Sequence, residues 1–133
     1  IITPMYEDGS INFDELGRIV EDQIARGTDA IVICGTTGEC STMTDEEQLA
    51  AIKYTVDLVN HRVPVIAGAG SNDTDHGCAL AAKSAACGAD GLMIEVHNDP
   101  AKALCDGPQA LRPEEFAEVT RGVNAIRETV NNL

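Results

Sequence analysis

Apolar positions along the chain follow two periods. Short apolar, β-branched runs fall at Ile1–Thr3, Ala30–Cys34, Val63–Ala67 and Gly91–Val96, and the last three stand about 30 residues apart. Each of these last three is followed by a helical pattern. The spacing predicts a first helix from near Phe13 to Ala25, where Leu16, Ile19, Val20 and Ile24 form one stripe and Gly27 closes the end. A second is predicted from about Asp45 to Asn60. Thr44 and Glu47 form a capping box at its start, and Leu49, Ile52, Val56 and Val59 supply its buried face. A third, alanine-rich helix is predicted from about Asp75 to Cys87, ending at Gly88. A fourth begins at Pro113, with Glu114 and Glu115 at the positive end of the helix dipole, and runs to about Val130.

Strands alternating with helices at this spacing specify right-handed βα units on a parallel sheet. The expected fold class is therefore α/β: four βα units with helices outside, in a single domain over residues 1–133. A closed eight-fold barrel needs roughly 250 residues, so the chain reads as half of such a barrel or as a small open sheet. No linker or low-complexity segment divides it. It opens on Ile1 rather than Met, as expected of a fragment, and its start lacks the basic segment of a signal peptide.

Charge narrows the partners. The chain carries 22 acidic and 9 basic residues, a net −13, which disfavours nucleic acid and anionic membrane. No apolar stretch reaches membrane-spanning length. The five cysteines (34, 40, 78, 87, 105) show no C-x-x-C spacing, so reduced cytoplasm is the expected compartment.

Candidate chemistry sits at the strand ends. Gly35-Thr36-Thr37-Gly38-Glu39 follows the run Ala30–Cys34 and offers backbone N–H groups and two hydroxyls where α/β proteins bind ligands. Such a turn suits a small carboxylate and a proton transfer; its plainer reading is a βα turn whose glycines serve the backbone. Gly68-Ala69-Gly70-Ser71-Asn72 follows the next strand. It is not a dinucleotide fingerprint, because Asp73 stands where the last glycine is needed. Glu95 and His97 share one face of the last strand, with Asp106 further on. These three could ligate a divalent metal such as manganese or zinc, although two or three ligands do not make a site. His61 and His76 read as solvated positions at helix ends, and Asp45-Glu46-Glu47 as a helix-start signal alone. Lys53 and Lys83 fall in helices and Lys102 in a loop, so none ends a strand where a Schiff-base lysine would be desolvated.

Residues 1 to about 75 resemble the amino-terminal part of the dihydrodipicolinate synthase / N-acetylneuraminate lyase family of class I aldolases. The matching stretches are Ile2-Thr3-Pro4, Asp8-Gly9-Ser10-Ile11-Asn12-Phe13, Gly27-Thr28-Asp29-Ala30, Cys34-Gly35-Thr36-Thr37-Gly38-Glu39, Thr44-Asp45-Glu46-Glu47, and Arg62–Gly68 with Gly70-Ser71-Asn72. The resemblance implies an eight-fold barrel and condensation of pyruvate with aspartate semialdehyde in lysine biosynthesis. It implies Thr36 in a proton relay with two tyrosines, and Thr37 binding the pyruvate carboxylate between Gly35 and Gly38. Tyr6 and Tyr54 are the only tyrosines, and neither stands at a relay position. The family's Schiff-base lysine lies on a later strand, so the chain is expected to be inactive alone.

Residues 88 to 133 resemble the carboxyl-terminal end of a 3-deoxy-arabino-heptulosonate 7-phosphate synthase, through Gly88–Pro100, Lys102–Gln109 and Pro113-Glu114-Glu115-Phe116. That resemblance implies a metal-dependent condensation of phosphoenolpyruvate, with Glu95 and Asp106 as metal ligands. Together the two resemblances read as a chimera joined somewhere between residues 72 and 91. Four open strands would expose an apolar inner face, so a homodimer completing a barrel is expected, in effect a self-associating scaffold.

Overall fold

A computed structural model describes residues 1–132. The elements run in the order α1 (Phe13–Ala25), β1 (Ile31–Ile33), α2 (Asp45–Val59), β2 (Val65–Gly68), α3 (Thr74–Ala86), β3 (Gly91–Met93) and α4 (Pro113–Asn131). Short 3-10 turns lie at Thr36–Gly38, Cys40–Thr42, Pro100–Lys102 and Gly107–Gln109. The strands form one parallel sheet in the order β1-β2-β3, with Ile31 opposite Val65 and Ile66 opposite Gly91.

Helix starts follow the sequence signals. Asn12 Oδ1 accepts the Glu15 N–H at 3.0 Å to cap α1. In α2 the predicted capping box forms: Thr44 Oγ1 accepts the Glu47 N–H, and Glu47 accepts the Thr44 N–H at 2.8 Å. Asp73 caps α3 by accepting the His76 N–H, and Glu115 accepts the Arg112 N–H at the start of α4. Asp90 staples the sheet, since its carboxylate accepts the Val65 N–H at 2.9 Å while its own N–H donates to the Val65 carbonyl.

The sheet has three strands rather than the expected four. Ile1–Thr3 lies beside β1, with the Ile1 ammonium donating to the Val32 carbonyl, but forms no ladder. The chain instead turns back on itself, pairing Met5 with Ile11 and giving the Asn12 N–H to the Pro4 carbonyl. The last strand is also shorter than Gly91–Val96. Beyond Met93 the backbone leaves β2, and Val96 bridges Leu111, whose N–H and carbonyl serve Glu95 and His97. The architecture is thus a three-stranded parallel sheet with four helices, a part of a barrel.

The core lies between the sheet and the first two helices. Leu16, Val20, Ile33, Ile52, Val59, Val65 and Ala67 are buried together there, each large aliphatic contributing roughly 1.5–3 kcal/mol of transfer free energy. Gly17 lets α1 approach α2 closely: a Cβ there would lie within 2.4 Å of the Tyr54 hydroxyl, and the Tyr54 ring packs on Phe13 with centroids 5.1 Å apart. A smaller cluster (Ala69, Leu80 and Ala81) receives Val119 and Val123 of α4. On the other face of the sheet Val32, Ile66 and Gly91 are only half-buried, and Met93 is exposed. Parallel sheets are normally covered on both faces, and this one is covered on one.

Candidate functional site

The Thr-Thr turn leaves β1 through a backbone reversal. Cys34 has φ 55° and Glu39 φ 59°, so left-handed residues bracket the turn at either end. Such residues cost about 1–3 kcal/mol unless the surroundings impose them. Here the Cys34 thiol donates to the Gln48 carbonyl at 3.7 Å, and Thr3 Oγ1 donates to the Gly38 carbonyl at 2.8 Å. Gly68 at the end of β2 completes the clamp. A Cβ on it would lie 2.0 Å from the Cys34 carbonyl oxygen, so no other residue fits.

Within the turn the Gly38 and Glu39 N–H groups are used on the Gly35 and Thr36 carbonyls. The Thr36 and Thr37 N–H groups are left at its open end, as at any helix start. Both threonines are exposed, while Gly38 is buried against Ile1 and Thr3. Burial pushes the Cys34 thiol up to about 12, with Cys40 adding to the effect, so Cys34 is a packing group rather than a nucleophile.

A cavity of about 100 Å³ opens beside the turn. Gly35 and Thr36 from the end of β1, Gly68 and Gly70 from the end of β2, and Met93 and Glu95 from the end of β3 all line it. The structure therefore brings Glu95 to the threonine turn, a grouping the sequence did not suggest. Gln109, the last residue of the Lys102–Gln109 stretch, enters the same cavity from the Gly107–Gln109 turn, and nothing in the sequence assigns it a role there.

The metal grouping does not assemble. Asp106 lies at the left-handed start of the Gly107–Gln109 turn and lines a separate pocket between Pro100 and Pro108. Glu95 instead lines the cavity at Thr36, and the His97 Nδ1 accepts the Asp99 N–H at 3.0 Å. Among the described residues no three His, Cys, Asp or Glu side chains come together to hold an ion.

His76 lies at the start of α3 with its side chain 41% exposed, as expected, and it is also hydrogen-bonded. Its Nδ1 stands 2.8 Å from Ser71 Oγ and its Nε2 2.7 Å from Asp45 Oδ1, and it lines a second cavity of about 310 Å³ that shares Cys40, Gly70 and Gln109 with the first. Asp45 therefore does more than start α2. His61, with φ 60°, is exposed as expected. The lysines pair with carboxylates, Lys53 with Asp57, Lys83 with Asp45 and Lys102 with Asp99, and none of them lines the Thr36 cavity.

A parallel βα sheet with a hydroxyl-bearing turn at the carboxyl ends of its strands is the construction of part of a βα barrel. The chain belongs to the dihydrodipicolinate synthetase family, whose sequence pattern matches residues 1–96. It is 58% identical over 93 residues to the 4-hydroxy-tetrahydrodipicolinate synthase of Acetivibrio thermocellus, a match covering 70% of this chain and 32% of that protein. Among solved structures, the dihydrodipicolinate synthase of Bacillus anthracis superposes with a TM-score of 0.77 at 35% identity, covering 92% of this chain and 40% of that one. The chloride-inhibited synthase of Acinetobacter baumannii, solved with pyruvate, superposes at 0.75 with 34% identity, again covering 92% and 40%. The chain thus spans about a third of the length of the curated relatives and about two fifths of the solved chains. None of these matches supports the resemblance of residues 88–133 to a heptulosonate-phosphate synthase. The family pattern itself runs through Glu95.

Among the described residues no helix is long and apolar enough to cross a membrane.

Proposed function

We propose that this chain is the pyruvate-recognising part of a dihydrodipicolinate synthase-type class I aldolase, acting in the condensation of pyruvate with aspartate semialdehyde. Thr37 takes the pyruvate carboxylate with its hydroxyl and N–H, Gly35 and Gly38 allow the backbone to approach, and the Thr36 hydroxyl passes a proton beside the reacting carbon. The observation that carries this reading is the Thr36–Gly38 turn, clamped by Gly68 at the mouth of β1, within a stretch that matches the family throughout. Thr36 opens onto a cavity of about 100 Å³, on the scale of a three-carbon acid. A solved relative that holds pyruvate supports the ligand class.

Schiff-base chemistry needs a desolvated lysine, and Lys53, Lys83 and Lys102 are half or more exposed on their carboxylate partners. The chain by itself therefore binds without forming the enamine. Its half-buried inner face, Val32 and Ile66, is closed by a second copy in a cytoplasmic homodimer.

Pyruvate with borohydride, followed by intact mass measurement, tests the reading. We expect no covalent adduct, together with pyruvate-dependent amide shifts at Thr36 and Thr37 that Thr37→Val abolishes. A stable adduct would overturn the inactivity. Unmoved Thr36 and Thr37 amides at saturating pyruvate would overturn the site.

A further inference from the structure

The second cavity holds an arrangement that the aldolase reading does not use. Ser71, in the loop after β2, places its Oγ 2.8 Å from Nδ1 of His76 in the first turn of α3. The other ring nitrogen, Nε2, is 2.7 Å from Oδ1 of Asp45, the first residue of α2. A carboxylate that accepts from Nε2–H fixes the tautomer in which Nδ1 carries the lone pair. Nδ1 then accepts the Ser71 hydroxyl proton. The ring is presented in the opposite sense to most serine hydrolases, but the requirement is only that base, nucleophile and orienting group share one hydrogen-bonded chain.

Three further features favour charge developing on Ser71 Oγ. The Asp73 N–H donates to that oxygen at 3.1 Å, an acceptor contact that strengthens as the hydroxyl loses its proton. Asp45 is held in its ionised form, its carboxyl kept below the usual range by the His76 hydrogen bond and then by the Lys83 ammonium 3.6 Å from Oδ2. The relay also faces space rather than packed protein. The cavity is about 310 Å³, has Met43 and Leu80 as apolar walls, and carries the carboxamides of Asn72 and Gln109. That volume lies at the lower end of small-molecule sites, about 300–1,000 Å³.

We propose that Ser71, His76 and Asp45 form a nucleophilic relay that accepts the acyl group of small esters in this cavity, separately from the Thr36–Thr37 turn. Ser71 Oγ attacks the ester carbonyl carbon as its proton moves to His76 Nδ1, forming an Oγ–C bond. The C–O bond to the alcohol then breaks, and the alcohol leaves with the proton from Nδ1. Water repeats the sequence on the acyl-serine, releasing the acid and restoring the hydroxyl. Ser71 and His76 are the catalytic residues. Asp45 is a positioning residue, acting through the ring.

The test is reaction with diisopropyl fluorophosphate, in which Oγ–P forms, P–F breaks and fluoride departs, followed by peptide mapping. We expect single labelling at Ser71, at a rate well above that of the exposed Ser10 and Ser41. His76→Gln should slow it about 100-fold, the scale of a general base. Asp45→Asn should slow it and also change the His76 tautomer read from its ring nitrogen shifts, with Asp45→Glu restoring both. Hydrolysis of 4-nitrophenyl acetate should fall in parallel in Ser71→Ala. Labelling of Ser71 no faster than Ser41 in the unmodified chain, or an undiminished rate in a folded His76→Gln, would overturn the proposal and leave the three residues as a clamp between α2 and α3. The comparison with Ser41 needs no variant, so it stands even if a substitution unfolds the chain.

Discussion

The helices α1 and α4 come from the same kind of signal and end up in different circumstances. The shorter, α1 with 13 residues, buries Gly17 and, completely, Leu16 and Val20 against α2 and the sheet. The longer, α4 with 19 residues, has no fully buried residue, and its Phe116 is 41% exposed. Its stripe of Val119 and Val123 packs on Leu80 and Ala81, and beside that contact a pocket of about 180 Å³ opens between α4 and Asp90, Leu92 and Ile94. Length and capping make a helix, whereas burial requires a partner surface of matching shape. The first two helices have that surface in β1 and β2. α4 has only α3 and the end of a short edge strand.

The comparison can be broken most sharply at Gly68. Gly68→Ala puts a methyl on the backbone of Cys34, which cannot yield as a flexible side chain would, and should cost about 3 kcal/mol or more. Urea denaturation with little or no loss would show that the clamp between β1 and β2 is soft. Next come paired truncations. Ile52→Ala, in the fully buried cluster, should cost about 2–5 kcal/mol. Val123→Ala, half-buried on α4, should cost about 1 kcal/mol or less. Equal costs would mean that α4 is packed as firmly as α2.

A smaller effect of opposite sign is expected at Gly122, inside α4, where an added Cβ meets nothing within 4 Å. Gly122→Ala should raise stability by about 0.5–1 kcal/mol. Hydrogen exchange should register the gain in α4 amides and not in α1. The smallest effect is electrostatic. Glu21 takes two hydrogen bonds from Arg62, which joins α1 to the end of α2 and holds its carboxyl below the usual range. A lowered carboxyl favours the folded chain above the ordinary carboxylate value of about 4, and the contribution is lost as pH falls through the lowered one. Glu21→Gln should therefore lower Tm slightly at about pH 7 and match the parent at about pH 2. A difference that persists in acid would assign Glu21 a packing role instead.

Much of this was legible in the residues, because helix termini are local. Asn12, the Thr44–Glu47 pair and Pro113 mark helix starts, and Gly27 and Gly88 mark ends, all through bonds or φ values within a few positions. Strands are another matter. Ile1–Thr3 has the composition of a strand but forms no ladder, and Val96 leaves the sheet for Leu111, a partner fifteen positions away that no period reveals. The Thr36–Thr37 turn could be read as a ligand loop from its place after a strand. Its neighbours Glu95 and Gln109 could not, since they reach it only through the fold. The bond from His76 to Asp45 could not be read either, since Asp45 lies on a different βα unit. Glu95 and Asp106 line different pockets, because the Pro100–Lys102 turn between them redirects the chain.

The strands meet in the sheet in the order in which they are made, β1-β2-β3, all parallel. Every strand thus bonds only to its predecessor and successor, and the molecule resembles a short stack of similar tiles more than a knot of distant contacts. Stability in such a stack passes from tile to neighbouring tile. The α1-β1-α2-β2 block can be finished while later tiles are still emerging during synthesis, and each newcomer docks on an edge already formed. Wear follows the same line in reverse: the last tile, carrying α4, is the first to lift, and the Met93, Glu95 and Gln109 walls of the threonine cavity go with it.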